Sequence, residues 1–155
     1  ALLAGPQDSV VLLVALTHGD PMAFLPGAAV TELVTAALLK PAQPLQEQIE
    51  GAMADFTARF DPEYHRYISQ INNLVKMAVS MSRDPKIAPM EAMERLQCKS
   101  GAQVLAGVIY ALLVGGEDFD ASKDTCHIQH RGRHAAAALR HGCLQMPKQS
   151  EQIRT

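Results

Sequence analysis

The sequence has few aromatic residues and few cysteines. Aromatic residues make up 5% of the 155 residues, and tryptophan is absent. A core therefore has to be built from Ala, Leu, Val, Ile and Met, which favours packed helices over sheets. The three cysteines, Cys98, Cys126 and Cys143, are odd in number and follow no disulfide-framework spacing. We therefore predict reduced thiols rather than a disulfide-stabilised secreted domain.

Long uncharged apolar runs are also lacking. None reaches the roughly 20 residues of a membrane-spanning helix, and the first residues lack the basic flank of a signal peptide. We therefore expect a cytoplasmic location and no membrane partner. Residues 125–155 hold five Lys/Arg against one Asp/Glu, whereas residues 1–124 hold nine against fifteen. No aromatic residue is interleaved in the basic tail for base stacking, so no nucleic-acid partner is predicted, and nucleic-acid binding is the third-ranked hypothesis.

Proline, aspartate, serine and glycine divide the chain into helical segments. Asp20-Pro21 and Asp61-Pro62 each place a capping side chain before a proline at the first helical position. The remaining start signals are Ser9, Leu45, Pro89, Ser100 and Asp118, and the helix from Ser100 is predicted to end at Gly115-Gly116. No convincing strand alternation is present. The sequence therefore predicts an all-α fold.

Apolar residues spaced close to 3.6 apart predict the buried helix faces. In the helix from Pro21 these residues are Phe24, Ala28, Val30, Leu33, Val34, Ala37 and Leu38. Methionine adapts to irregular gaps in a core. On that basis four methionines are interpreted as core residues: Met77, Met81, Met90 and Met93.

Two groups of residues carry a family resemblance. Thr17-His18-Gly19-Asp20-Pro21 precedes an alanine-rich helix, and Tyr110-Ala111-Leu112-Leu113 is followed by Asp118-Phe119-Asp120. Together they resemble the C-terminal half of an ADP-ribosylglycohydrolase (crystallin J1-related) domain. The resemblance implies a multi-helical orthogonal bundle. It makes residues 1–155 a single helical domain, corresponding to a C-terminal portion of a longer domain and ending in a divergent tail over 122–155.

The resemblance also implies a function. Members of this family hydrolyse the glycosidic bond between ADP-ribose and a modified side chain or small conjugate, usually with Mg²⁺. A divalent cation prefers oxygen ligands and can polarise water while positive charge develops on the sugar carbon. An ADP-ribose-type small molecule is therefore the expected ligand. The residues assigned to binding it are Thr17, His18, His130, Gly132 and Arg133.

The chain departs from the family pattern at the metal ligands. An acidic Thr-Asp-Asp-Thr-like motif does not occur, and the loop that resembles the family's Asp-x-Asp-Ser/Thr loop has Arg133 and Ala135 in place of the two aspartates. A guanidinium group cannot ligate Mg²⁺. Magnesium is thus a family expectation without ligands here: no metal ligand or catalytic residue is assigned, and whether this chain is itself an enzyme stays open. Either the aspartates were lost and arginine holds phosphate, or the sequence after about Ser122 is altered by a change of coding frame or by uncertain residue assignment.

Several alternatives are kept. The main one is a non-catalytic helical module that binds ADP-ribose or a partner protein. Cys126, His130 and His134 lie at helical spacing but lack the paired-cysteine pattern of structural zinc sites. Asp55, Asp61 and Glu63 could form a paired-carboxylate site, but Asp61 is better explained as an N-cap and Glu63 as a favourable first-turn charge. A helical portion that exposes an apolar face is expected to form a homo-oligomer.

Overall fold

The computed structural model describes residues 13–116, 118, 120–122 and 124–126, and all regular structure in these residues is helical. The main helices are α1 (Pro21–Leu39), α2 (Leu45–Ser82), α3 (Pro89–Leu96) and α4 (Gly101–Gly115). A helical turn at 13–17 precedes α1, and helical residues at 120–122 and 124–126 follow α4. The all-α prediction is confirmed. The helix start predicted at Ser9 lies outside the described residues.

Side-chain caps fix the starts of α1 and α4. The backbone N–H of Met22 donates to Asp20 Oδ1 at 2.8 Å. Ser100 forms a capping box with Gln103, in which each side chain accepts from the other residue's backbone N–H. After α4, the backbone N–H of Ala121 donates to Asp118 Oδ1 at 3.1 Å. These three predicted helix starts are confirmed.

Helix α2 is a hairpin of two antiparallel arms. Its helical dihedral angles are interrupted at Tyr64, where φ is −122° and ψ is 28°. A straight helix would separate Glu50 from Arg83 by about 50 Å, yet Arg83 Nη2 lies 3.4 Å from Glu50 Oε1. A new helix was predicted to begin at Asp61, and that position was wrong by three residues. The Asp61 carboxylate does not cap a helix start, because it lies 2.9 Å from His65 Nδ1 within helical backbone.

The α2 hairpin forms one layer, and α1 and α4 pack on one side of it. Phe24 of α1 meets Tyr64 edge-on, with ring centroids 5.6 Å apart. From α4, Leu105 and Ile109 enter the same apolar cluster. A second cluster joins α3, α4 and the end of α2 around Tyr110, which is 1% exposed. The core therefore lies between the hairpin and the pair α1 and α4.

The predicted buried face of α1 is only partly correct. Phe24 and Ala28 are buried, but Val30, Val34 and Leu38 are 45%, 52% and 75% exposed. Helix α1 is apolar nearly all round, so spacing alone does not identify the side that faces the core. The methionine prediction fails at two of its four positions. Met81 and Met93 are buried, whereas Met77 and Met90 are exposed.

One helix in the described residues is long and apolar enough to cross a membrane. Pro21–Leu39 has a mean hydropathy of 1.7 over an 18-residue window, of which 33% is buried in the structure. The sequence analysis expects no membrane span because no uncharged apolar run reaches about 20 residues, and Glu32 lies within this helix. Length and composition alone are weak evidence for a membrane span, since core helices of soluble proteins pass the same test.

The link between α3 and α4 has an unusual backbone. Gln97 and Cys98 have φ values of 58° and 38°, and they are the two non-glycine residues with positive φ in the described part of the chain. The Cys98 thiol turns inward and donates to the backbone oxygen of Gln103 at 3.3 Å. The link leads from α3 into α4, and Met93 of α3 and Ala106 of α4 lie in the same apolar cluster.

Candidate functional site

The turn before α1 holds the first pair of predicted site residues. Thr17 ends the helical turn at 13–17, and Val14 of that turn packs on Gly27 of α1. The Thr17 hydroxyl donates to Val14 O at 2.9 Å and lies 2.8 Å from His18 Nδ1. Since the hydroxyl proton is used by Val14 O, the His18 Nδ1–H has to donate to Thr17 Oγ1. This orients the ring and leaves Nε2 as the acceptor of the neutral imidazole.

The rest of this turn is open. Thr17, His18, Gly19 and Asp20 are all exposed. A Cβ placed on Gly19 would meet no atom within 4 Å, so neighbouring side chains leave this side of the backbone accessible. Asp20 Oδ1 accepts the backbone N–H of Met22, which makes helix capping its visible role. The turn therefore presents an oriented imidazole to solvent and has room beside it.

The second group of predicted site residues cannot be compared with the first. His130, Gly132 and Arg133 lie outside the described residues. The structure brings Thr17 and His18 together. Among the described residues, Asp118 caps the helical residues that follow it, and Ser122 packs against the end of α4 at Gly115.

The described residues do not provide a metal site. No three His, Cys, Asp or Glu side chains among them are grouped so that they could hold a metal ion. Magnesium does not fit these residues, because it needs convergent oxygen ligands. For the zinc alternative, Cys126 alone of its three residues is described, and burial raises the pKa of its thiol. A raised pKa disfavours the thiolate form that binds metal.

Comparison with models of known protein families supports the family resemblance. The family model for ADP-ribosylglycohydrolase matches residues 3–142, which is most of the chain and includes both groups of predicted site residues. The chain belongs to the ADP-ribosylglycohydrolase family. No curated protein and no solved structure matches the chain at a significant level. For this ADP-ribosylglycohydrolase chain, family membership supports a related function and suggests a metal-dependent hydrolase, but it identifies no metal ligand.

Sequence analysis missed one half-buried carboxylate in this ADP-ribosylglycohydrolase chain. Glu32 of α1 forms an ion pair with Arg59 of α2 at 3.2 Å, and its side chain is 12% exposed. Burial raises the pKa of Glu32, and the nearby charge of Asp55 raises it further. The signal that could have identified it is that Glu32 is the one charged residue in the 19-residue helix α1. The contact joins α1 to the hairpin, so its evident role is to fix how these two elements pack.

A groove runs between the two arms of the hairpin, on the side facing away from α1 and α4. Its volume is about 810 Å³. The floor contains Met53 and Val75, which are also part of the main core cluster. Asn72 donates to Thr57 Oγ1 at 2.9 Å across one end, and the Glu50–Arg83 ion pair lies across the other. The predicted binding residues Thr17 and His18 do not line this groove.

Proposed function

We propose that this chain takes part in hydrolysing the glycosidic bond between ADP-ribose and a modified side chain or small conjugate. Family membership over residues 3–142 supports the reaction class. The exposed turn at Thr17 and His18 supports a place for the ligand, because Nε2 of the oriented ring can accept a hydrogen bond from a ribose hydroxyl. The proposal assigns binding to this turn. It assigns no metal chemistry to the described residues.

The proposal includes a location and a partner class. The odd number of cysteines and the lack of a disulfide-framework spacing support a cytoplasmic setting. The ligand is a small molecule of the ADP-ribose type. Arg133, next to Gly132 in the sequence, is proposed to hold its phosphates together with His130, because a guanidinium group offers a forked pair of donors to phosphate oxygens.

A second candidate function is a non-catalytic module that binds ADP-ribose. It is favoured by the absence of a metal-holding group among the described residues. It is also favoured by the arginine and alanine that stand in the loop where the family resemblance would place aspartates. Release of ADP-ribose from a modified protein in the presence of Mg²⁺ would support the hydrolase. ADP-ribose binding without release would support the module.

Calorimetric titration with ADP-ribose tests the site shared by both candidates. We expect His18→Ala to weaken binding by about tenfold, because one hydrogen bond to the ligand is worth roughly 1.4 kcal/mol. His65→Ala is the matched control, since this histidine is also exposed but lies at the hairpin turn beside Asp61. Equal affinities for the two variants would exclude the Thr17–His18 turn as the binding site. No binding by the unmodified chain would reject both functions for it.

A further inference from the structure

We propose that the groove between the two arms of α2, called here the hairpin groove, binds a small organic carboxylate that carries a medium-length alkyl chain. The groove combines a suitable size, an apolar floor and a surplus of one positive charge. Thr17 and His18 do not line it. The inference therefore adds a second binding site and is independent of the proposed function.

The hairpin groove has the dimensions of a small-molecule site. Its volume of about 810 Å³ lies within the range of about 300–1,000 Å³ that ligand pockets occupy. Both ends are bridged, one by the hydrogen bond from Asn72 to Thr57 and the other by the ion pair of Arg83 with Glu50. Asn72 and Arg83 lie about 16 Å apart along one helical arm. A groove of this length suits a compact ligand better than a long partner helix.

The floor of the hairpin groove is apolar. Met53 and Val75 line it and are buried residues of the main core cluster. Val79 lines it beside them and is partly buried. On the facing arm Ala54 and Ala58 have small side chains, which leave the groove open above the floor. An alkyl chain on this floor would remove apolar surface from water, and the gain is proportional to the area buried.

Charge identifies the other end of the ligand. Lys76 lines the groove, and residues 64–83 contain no acidic residue. The carboxylate that lines the groove is Glu50, which is paired with Arg83. The described lining residues therefore hold two cations and one carboxylate, so a ligand with one negative charge would balance them. A carboxylate supplies that charge, whereas a phosphate monoester carries nearly two at pH 7.

Asn72 provides a second donor beside Lys76. The two residues are four apart on one helix, so their side chains are neighbours. The Thr57 hydroxyl donates to Met53 O at 2.7 Å and accepts from the Asn72 amide at 2.9 Å. A side-chain amide has two N–H donors, so one remains for a ligand. This N–H and the Lys76 ammonium can donate to the two oxygens of one carboxylate, with its alkyl chain directed toward Val79.

Heteronuclear NMR titration of the full chain with octanoate tests the site. Octanol has the same alkyl chain without the charge, and acetate has the charge without the chain. Lys76→Gln removes the cation, and Ala54→Phe places a large side chain in the groove. Both positions are exposed, so neither change alters the core. Lys86→Gln is the matched control, because this exposed lysine lies between α2 and α3 and is not among the described residues that line the groove.

We expect octanoate to shift the amide signals of the groove residues, and acetate to leave them unchanged. Lys76→Gln should weaken octanoate binding about fivefold, as for an exposed ion pair, and leave octanol binding unchanged. Ala54→Phe should weaken both ligands about tenfold, because it covers the surface on which the alkyl chain lies.

Three results would overturn the proposal. The first is that octanoate shifts no signal of the groove residues. The second is equal octanoate affinity in the Lys76→Gln and Lys86→Gln variants. The third is that Lys76→Gln weakens octanol as much as octanoate, since the loss would then come from altered structure and not from the missing charge.

Discussion

Helices α1 and α4 differ from α2 and α3 in how charge is arranged around them. Helices α1 and α4 share a single charged residue, Glu32, whereas α2 and α3 carry acidic and basic residues along their exposed sides. A helix that is apolar all round is typical of an interior position, and an amphipathic helix is typical of a surface. Among the described residues, α1 and α4 contribute Leu25 and Ile109 to the shared core and expose Val34 and Val108. The exposed side chains of α1 and α4 are therefore largely apolar, whereas those of α2 and α3 include many charged ones.

The largest predicted effect is a difference in unfolding free energy between substitutions on the buried and exposed sides of α4. Ile109 is fully buried and its neighbour Val108 is 40% exposed. We expect Ile109→Ala to lower the free energy of unfolding by about 2–5 kcal/mol, because it leaves a cavity in the core. We expect Val108→Ala to lower it by under about 1 kcal/mol. Urea unfolding at low protein concentration measures both. Similar losses would contradict the one-sided burial of α4.

A smaller effect is expected from adding a methyl group between α3 and α4. A Cβ on Gly107 would lie 2.5 Å from Cys98 Sγ in the link between α3 and α4, so Gly107→Ala forces the Cys98 side chain or the neighbouring backbone to shift. We expect a loss of about 1–2 kcal/mol in the free energy of unfolding.

The matched control for this change is Gly51→Ala in the hairpin. A Cβ there meets no atom within 4 Å, and alanine is a better helix former than glycine. We therefore expect a gain of about 0.5–1 kcal/mol. Thermal unfolding followed by circular dichroism would show the opposite signs of the two changes. A gain at Gly107 would mean that α3 and α4 pack more loosely than the structure shows.

The smallest predicted effect concerns the charge that joins α1 to the hairpin. Because burial and then Asp55 raise the pKa of Glu32, the folded state binds the proton more tightly than the unfolded state. The resulting stabilisation is fully present below pH 4.5, the ordinary value for this carboxyl group, and is lost as the pH rises through the folded-state pKa. Glu32→Gln should remove this component from the dependence of unfolding free energy on pH. Parallel curves for the two proteins would contradict the raised pKa.

Sequence patterns predicted the positions of the helices better than they predicted which helix faces are buried. Asp20 and Ser100 carry their own start signals, because each side chain caps the backbone two or three residues later. The turn in α2 was misplaced because tertiary packing decides it. The break falls at Tyr64, whose ring packs on Phe24, a residue 40 positions earlier. Local signals around Asp61-Pro62 contain no information on that contact.

The candidate site was predictable only in part, for a related reason. Thr17 and His18 are neighbours in sequence, so their pairing follows from local geometry. Glu32 was missed because its burial depends on Arg59 and Asp55, which belong to another helix. The buried side of α1 could not be predicted either, because apolar spacing alone does not distinguish the buried Ala28 from the exposed Val30. Long-range contacts decide these points.

The floor of the hairpin groove has a mechanical consequence. Met53 and Val75 line the groove on one side and belong to the main core cluster on the other. A protein interior is close-packed and transmits displacement. A molecule that spread the two arms would therefore move the side chains on which α1 and α4 rest, and with them the turn that holds His18. The same side chains thus form the floor of an open groove and part of the core that supports the candidate site.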